Sequence, residues 1–194
     1  VLVGKSLETL REAPQLEVFA KKGVEVLLLT DHVDEFVLSA LTEFDGKKTN
    51  DVARGSVDLS AIGGAEEDTE KEAKDAVDEE ALAPLCELLK TTLEAQISEV
   101  RISARLTDSA ACLVSPEEAL SPQMEQMMRA MGQEVPPSKR YLELNPEHAL
   151  IQKLSALYSE NQEDLRIAEF GELLYAQALL SEGGQLDNPS RYAK

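Results

Sequence analysis

The chain has 194 residues, a net charge of -18, 43% hydrophobic residues, 4% aromatic residues and no tryptophan. That length allows one or two domains with a real core, which Leu, Val, Ile and Ala must fill. The charge argues against nucleic acid and anionic membrane surfaces, which demand basic patches, and no 18-residue apolar run reads as a membrane span.

Cys86 and Cys112 lack metal-type spacing and sit among apolar neighbours. They read as reduced core residues of a cytoplasmic protein, with a disulfide between them as the alternative. Val1 to Gly4 reads as a short buried strand. Ser6 caps a helix to about Ala13, Pro14 breaks it, and a second piece runs to Lys22 and stops at Gly23. Val26-Leu27-Leu28-Leu29 within Glu25 to Thr30 predicts a strand buried on both faces. Asp31 caps the next helix with Asp34 in a box-like position, and Val33, Phe36, Val37 and Leu41 form its apolar face. Phe44-Asp45-Gly46-Lys47 leads into irregular or extended chain. Residues 1–60 thus form a small α/β unit with a short parallel sheet.

Residues 61–79 form an acidic linker. From Glu66 to Glu80 nine acids face only Lys71 and Lys74, a run that stays solvated. Residues 80–194 read as an α+β unit. Leu82, Leu85, Cys86, Leu89 and Leu93 mark a helix with one apolar face. From Ser98 to Leu106 the chain alternates, with Val100, Ile102, Ala104 and Leu106 inward and Glu99, Arg101, Ser103 and Arg105 on a wet face. Thr107-Asp108-Ser109 turns it, and Ala111 to Val114 returns as its antiparallel partner.

All four methionines fall between Leu120 and Gly132. Ser121 caps, Pro122 starts and Gly132 ends a helix whose face carries Met124, Met127, Met128 and Met131 at i, i+3, i+4, i+7, extended by Leu120. Such a stripe is either core or a surface that fits many partners, because methionine is flexible and polarizable. A third strand spans Lys139 to Leu144. Asn145-Pro146 starts a helix lined by Leu150, Ile151, Leu154, Leu157 and Tyr158. A longer helix from Gln162 to Ser181 is apolar over more than half its girth, so it needs neighbours on two sides: its own domain can supply one, and a second subunit is a candidate for the other. Val1 lacks a lead-in, and 188–194 start a helix with none after it, the pattern expected of a piece of a longer protein.

No active site emerges. Gly4-Lys5-Ser6 resembles the end of a phosphate loop, but a chance match accounts for it. His32 and His148 sit at helix starts as solvated or capping residues, and Asp31, Asp34 and Glu35 suit a helix N-terminus. No catalytic, cofactor or metal residue is assigned.

Val26-Leu27-Leu28-Leu29-Thr30-Asp31, Asp34-Glu35 and Glu43-Phe44-Asp45-Gly46-Lys47, then Arg105 to Val114, Met124-Glu125, Gly132-Gln133 and Leu142 to His148, together resemble the ninety-kilodalton heat-shock chaperones, in order over nearly the whole chain. The match is to the end of the middle domain and most of the C-terminal domain of bacterial members. The resemblance implies a stress-response chaperone that is homodimeric and ATP-driven. Its ATP and Mg would be held in an absent N-terminal domain, so this portion carries neither cofactor nor enzyme activity. Leu120, Met124, Met127, Met128 and Met131 would touch unfolded or partly folded clients. The helix from Gln162 would be the first of two in a four-helix dimer bundle, through Phe170, Leu173, Leu174, Ala178 and Leu179. Since the second helix is cut short, dimerisation of this portion is left open. Two other readings stand beside this one: a structural remnant of an α/β enzyme, and a scaffold whose methionines are all buried.

Overall fold

A computed structural model describes residues 1–31, 33–56, 81–134, 138–186 and 188–192. The expected linker, its acidic run and His32 lie outside the described residues.

The first unit is built from very short elements: β1 (Leu2–Val3), α1 (Leu7–Arg11), a 3-10 turn (Pro14–Leu16), α2 (Glu17–Lys21), β2 (Leu28–Leu29), α3 (Asp34–Ala40), β3 (Glu43–Phe44) and β4 (Lys47–Lys48). β1 and β2 pair in parallel, as expected. Ser6 Oγ accepts the Thr9 N–H at 3.2 Å and so starts α1. The core packs Leu2, Leu10, Ala13, Val18, Phe19 and Val52.

Two expectations fail in this unit, the double burial of β2 and the capping of α3 by Asp31. β2 is not buried on both faces: it spans two residues in a two-stranded sheet, and Leu27 beside it is exposed. The apolar face of α3 does not enter the core. Val33, Phe36, Val37 and Leu41 are all exposed, Phe36 by 51%, because the small core closes on α1, α2 and Val52 and leaves α3 outside it. The structural N-cap is Val33, although Asp34 Oδ2 does accept the Asp31 N–H at 2.9 Å. Glu43 to Lys48, where irregular or extended chain is expected, is extended and paired as a hairpin. Its turn puts Asp45 and Gly46 at φ 51° and 74°, the twist that matches a tight two-residue loop.

The second unit contains α4, described over residues 81–92, then β5 (Ile97–Ile102), β6 (Ala111–Val114), α5 (Pro122–Ala130), β7 (Arg140–Leu144), α6 (Ala149–Glu160), α7 (Leu165–Ser181) and α8 (Pro189–Tyr192). Its three-stranded sheet has the order β5-β7-β6. β6 is therefore antiparallel to β7 and not to β5, while β5 runs parallel to β7. The link between β5 and β6 is too long for a tight turn, and β7 enters between them. The Ser103 N–H bonds the Leu144 carbonyl at 2.8 Å, and the Asn145 N–H bonds the Ala110 carbonyl at 2.9 Å.

One face of this sheet carries Ile97, Val100, Ala111, Leu113, Leu142 and Leu144 against Leu85 and Leu89 of α4, Ile151 and Leu154 of α6, and Ile167 and Leu174 of α7. α4 and α7 approach so closely that a Cβ on Gly171 would meet Leu89 Cδ2 at 2.6 Å. α6 is capped by His148, whose Nδ1 accepts the Leu150 N–H at 3.2 Å, not by Asn145. Asn145 is buried instead, donating from Nδ2 to the Ser109 carbonyl at 3.0 Å. Cys86 and Cys112 are both buried and reduced.

Candidate functional site

The other face of the sheet is where alternation misleads. It was expected to be wet, but the first unit covers it. Ser103 is buried, and Arg105 is 2% exposed, making it one of the largest fully buried side chains. Its charge is answered by Glu143, which register places between Arg101 of β5 and Cys112 of β6. Arg105 Nε donates to Glu143 Oε2 at 2.9 Å, Arg101 Nη2 to Oε1 at 2.7 Å, and Ser103 Oγ to Oε2 at 2.8 Å. Arg101 also stacks over the Tyr141 ring at 4.5 Å. The remaining guanidinium donors reach the first unit: Arg105 bonds the carbonyls of Val52 and Gly55, and Arg101 bonds Gly55 at 2.8 Å. A charge this deep is tolerable only with all its donors engaged.

Further polar contacts extend this seam between the units. The Glu17 carboxylate accepts the N–H groups of Thr107, Asp108 and Ser109 at 2.7, 2.8 and 3.0 Å. Burial alone would raise its pKa, but these donors outweigh it and hold the carboxyl below its ordinary value. Gln15 Nε2 donates to the Leu113 carbonyl at 2.9 Å and to Glu182 Oε1 at 3.1 Å. Arg140 bonds the other oxygen of Glu182. Burial outweighs the pull of Arg140 and Gln15 and pushes the Glu182 carboxyl up to about 7.

Outside this seam lies the methionine helix. Ser121 Oγ accepts the Met124 N–H at 3.1 Å and caps α5. At the other end Gly132 sits at φ 81°, and the Gln133 N–H returns to the Met128 carbonyl at 3.0 Å, closing the helix as a left-handed glycine does. Glu125 anchors its polar side, accepting the Ser138 N–H at 2.9 Å. Met124, Met127 and Met128 are half-buried, Met131 is 70% exposed and Leu120 is exposed. No methionine enters any of the three apolar cores.

Sequence reasoning missed the neighbour of this face. The Ser121 hydroxyl also donates to Glu35 Oε1 at 2.7 Å, both residues being buried. Glu35 is the buried residue of α3, so the bond ties α3 to the start of α5. Two helices with exposed apolar side chains, one from each unit, are thereby joined. The available signal was quantity: Leu27, Val33, Phe36, Val37, Leu41 and Phe44 are more apolar surface than two-residue strands can cover.

The residues expected at a subunit contact divide. Leu174 and Ala178 pack in the chain's own core, Phe170 and Leu179 are half-buried against it, and Leu173 faces water. Leu180, seven residues on and on the same side, is exposed, and so is Leu165 at the start of α7.

A cleft of about 580 Å³ runs between the units, lined by Lys5, Glu35, Arg54, Arg129, Arg140 and Glu182 among others. Gly4-Lys5-Ser6 does not fit a phosphate cradle there, since Ser6 Oγ is engaged with the Thr9 N–H and hydroxyl. Among the described residues no three His, Cys, Asp or Glu side chains are grouped to hold a metal, and no helix is long and apolar enough to cross a membrane.

Comparison with known proteins accounts for the whole chain. The family model described as Hsp90 protein matches residues 1–194. The chaperone protein HtpG of Magnetococcus marinus is 45% identical over 193 residues, which is 100% of this chain and 29% of that protein. HtpG of Methylococcus capsulatus is 46% identical over 188 residues, covering 97% of this chain and 28% of the relative. HtpG of Mycobacterium avium is 44% identical over 191 residues, 98% of this chain and 29% of the relative. The chain thus spans less than a third of the length of these relatives. On this match over its full length, the chain belongs to the Hsp90 family.

Proposed function

We propose that this chain supplies client contact and dimerisation to an ATP-driven, homodimeric, cytoplasmic chaperone. The relatives are named chaperones. The observation that carries the reading is a pair of apolar faces left open in part: Leu120, Met131, Val33, Phe36 and Val37 are exposed, and Met124, Met127 and Met128 are half-buried outside every apolar core. Leu120, Met124, Met127, Met128 and Met131 form the first, and Val33, Phe36 and Val37, on α3 and its N-cap, form the second. An unfolded chain brings apolar side chains of no fixed geometry. Fully burying one methionine or phenylalanine contributes about 1.5–3 kcal/mol, and flexible thioethers can meet many shapes. Much of that gain offsets the cost of association and ordering, so binding is broad and weak.

The seam serves this function by fixing the two units, and hence α3 and α5, in one arrangement. Dimerisation is assigned to the water-facing side of α7, with Leu173 and Leu180 in contact and Leu174, Ala178, Phe170 and Leu179 supporting it from within. ATP and Mg belong to other parts of the full protein in this reading, and no residue here is given a catalytic role. Residues 61–79 link the two units, 1–60 and 80–194.

The test is photocrosslinking. A photoreactive residue at Met127 should capture a permanently unfolded client protein, whereas one at exposed Gln152 on α6 should not. Equal capture at both positions would remove the basis for a dedicated face.

A further inference from the structure

The six sulfur atoms of this chain fall into two classes. Cys86 and Cys112 are buried. Burial, followed by the nearby Glu143 carboxylate, pushes the Cys112 thiol well above its ordinary value, so it is not the thiolate that peroxides attack. The four methionines lie on one short helix and its C-cap, outside every apolar core, three of them half-buried residues and the fourth exposed. Met131 stands furthest out, just past the last helical residue, and Met124, Met127 and Met128 follow along the face. Protein thiols are ordinarily the first sulfurs to respond to peroxide. Here the geometry reverses that order.

We propose that α5 is a modification site for hydrogen peroxide and small organic hydroperoxides, and that sulfoxidation of its methionines lowers client binding reversibly. The inference rests on the client-contact reading of the same face. In each step a methionine sulfur attacks one peroxide oxygen, an S–O bond forms and the O–O bond breaks. Sulfur gives up two electrons, and the departing hydroxide or alkoxide takes a proton to become water or an alcohol. The product is a polar, chiral sulfoxide in place of an apolar thioether. A face that grips by apolar burial then pays to desolvate an S–O dipole each time it closes on a client. The change is undone by methionine sulfoxide reductases, one class for each sulfoxide epimer, drawing electrons from a dithiol that ends as a disulfide. The helix itself survives, because its cap, its Gly132 closure and its Glu125 contact involve no sulfur.

The experiment treats the whole chain with hydrogen peroxide, maps oxygen uptake by peptide mass spectrometry, and titrates a permanently unfolded client protein before and after. Met131 should oxidise first and the other three next, while Cys86 and Cys112 stay reduced. Affinity should fall roughly tenfold, and treatment with both reductase classes should restore it. A chain with Met124→Leu, Met127→Leu, Met128→Leu and Met131→Leu should bind clients without peroxide and lose nothing in its presence, since leucine keeps the volume and has no sulfur. Cysteine oxidation ahead of methionine, or unchanged affinity in fully sulfoxidised chain, overturns the inference. So does an equal loss in the leucine variant. The mapping and titration of the unsubstituted chain decide the matter even should that variant fold poorly. Failure of the client-contact reading looks different: replacement of these methionines by serine would then leave binding intact without any oxidant.

Discussion

The seam and the helix faces invert the usual relation between polarity and burial. Arg105 and Glu143 are charged and shut away from water, whereas Phe36 and Met131 are apolar and open to it. The seam is self-sufficient, each charge meeting its partners inside the chain. The faces are only partly covered by the described residues. What the difference teaches is that a buried charge reports on a contact already made, and an exposed apolar stripe on one still to come.

The largest test of this contrast is Arg105→Met. It leaves the Glu143 carboxylate buried with Arg101, Ser103 and the weak Cys112 thiol donor, and should cost about 3–5 kcal/mol in urea unfolding. An unchanged midpoint would mean that the seam contributes nothing to stability. Next comes a pair on one helix. Leu174→Ala, in the core, should cost about 2–5 kcal/mol, while Leu173→Ala should cost well under about 1 kcal/mol yet weaken self-association in light scattering. Equal costs would show that α7 does not have one inner and one outer side.

Glu17→Gln should cost about 1 kcal/mol, since it trades charge-assisted bonds for neutral ones in a partly exposed setting. The sign with pH follows from the depressed pKa. The folded state sheds this proton more readily than the unfolded state, so the stabilisation is present above the ordinary value of 4.5. It disappears as pH falls through the lower, folded value. The gap in stability between the original chain and the Gln variant should therefore close in acid, and a gap that stayed constant with pH would refute the assignment to Glu17. Smallest in stability is Phe36→Ser, within about 0.5 kcal/mol, but with weaker client binding. A large loss of stability there would place Phe36 in a core.

Much of this was readable beforehand, and the misses share a cause. Ser121, Pro122 and Gly132 delimit α5 because capping and left-handed closure are local events that a few residues decide. Leu82, Leu85 and Leu89 announced a core helix because one unbroken stripe has one place to go. Alternation through Arg101, Ser103 and Arg105 located the two faces of β5 but not what covers each. Only the docked first unit makes the polar face interior. Likewise Val33, Phe36 and Val37 have the spacing of a core helix, and their exposure depends on the rest of the unit closing without them. Strand order failed for the same reason, since β7 enters between β5 and β6 from far along the chain. One miss was avoidable: Asp45-Gly46 between short extended runs is a hairpin signal in its own right.

The most direct measurement compares the original chain with one in which Met124, Met127 and Met128 are all serine, following affinity for an unfolded client and thermal unfolding on the same samples. The account predicts affinity lower by roughly tenfold or more with the melting temperature moved by only a few degrees. A collapse of the melting temperature, or unchanged affinity in a stable variant, would contradict it.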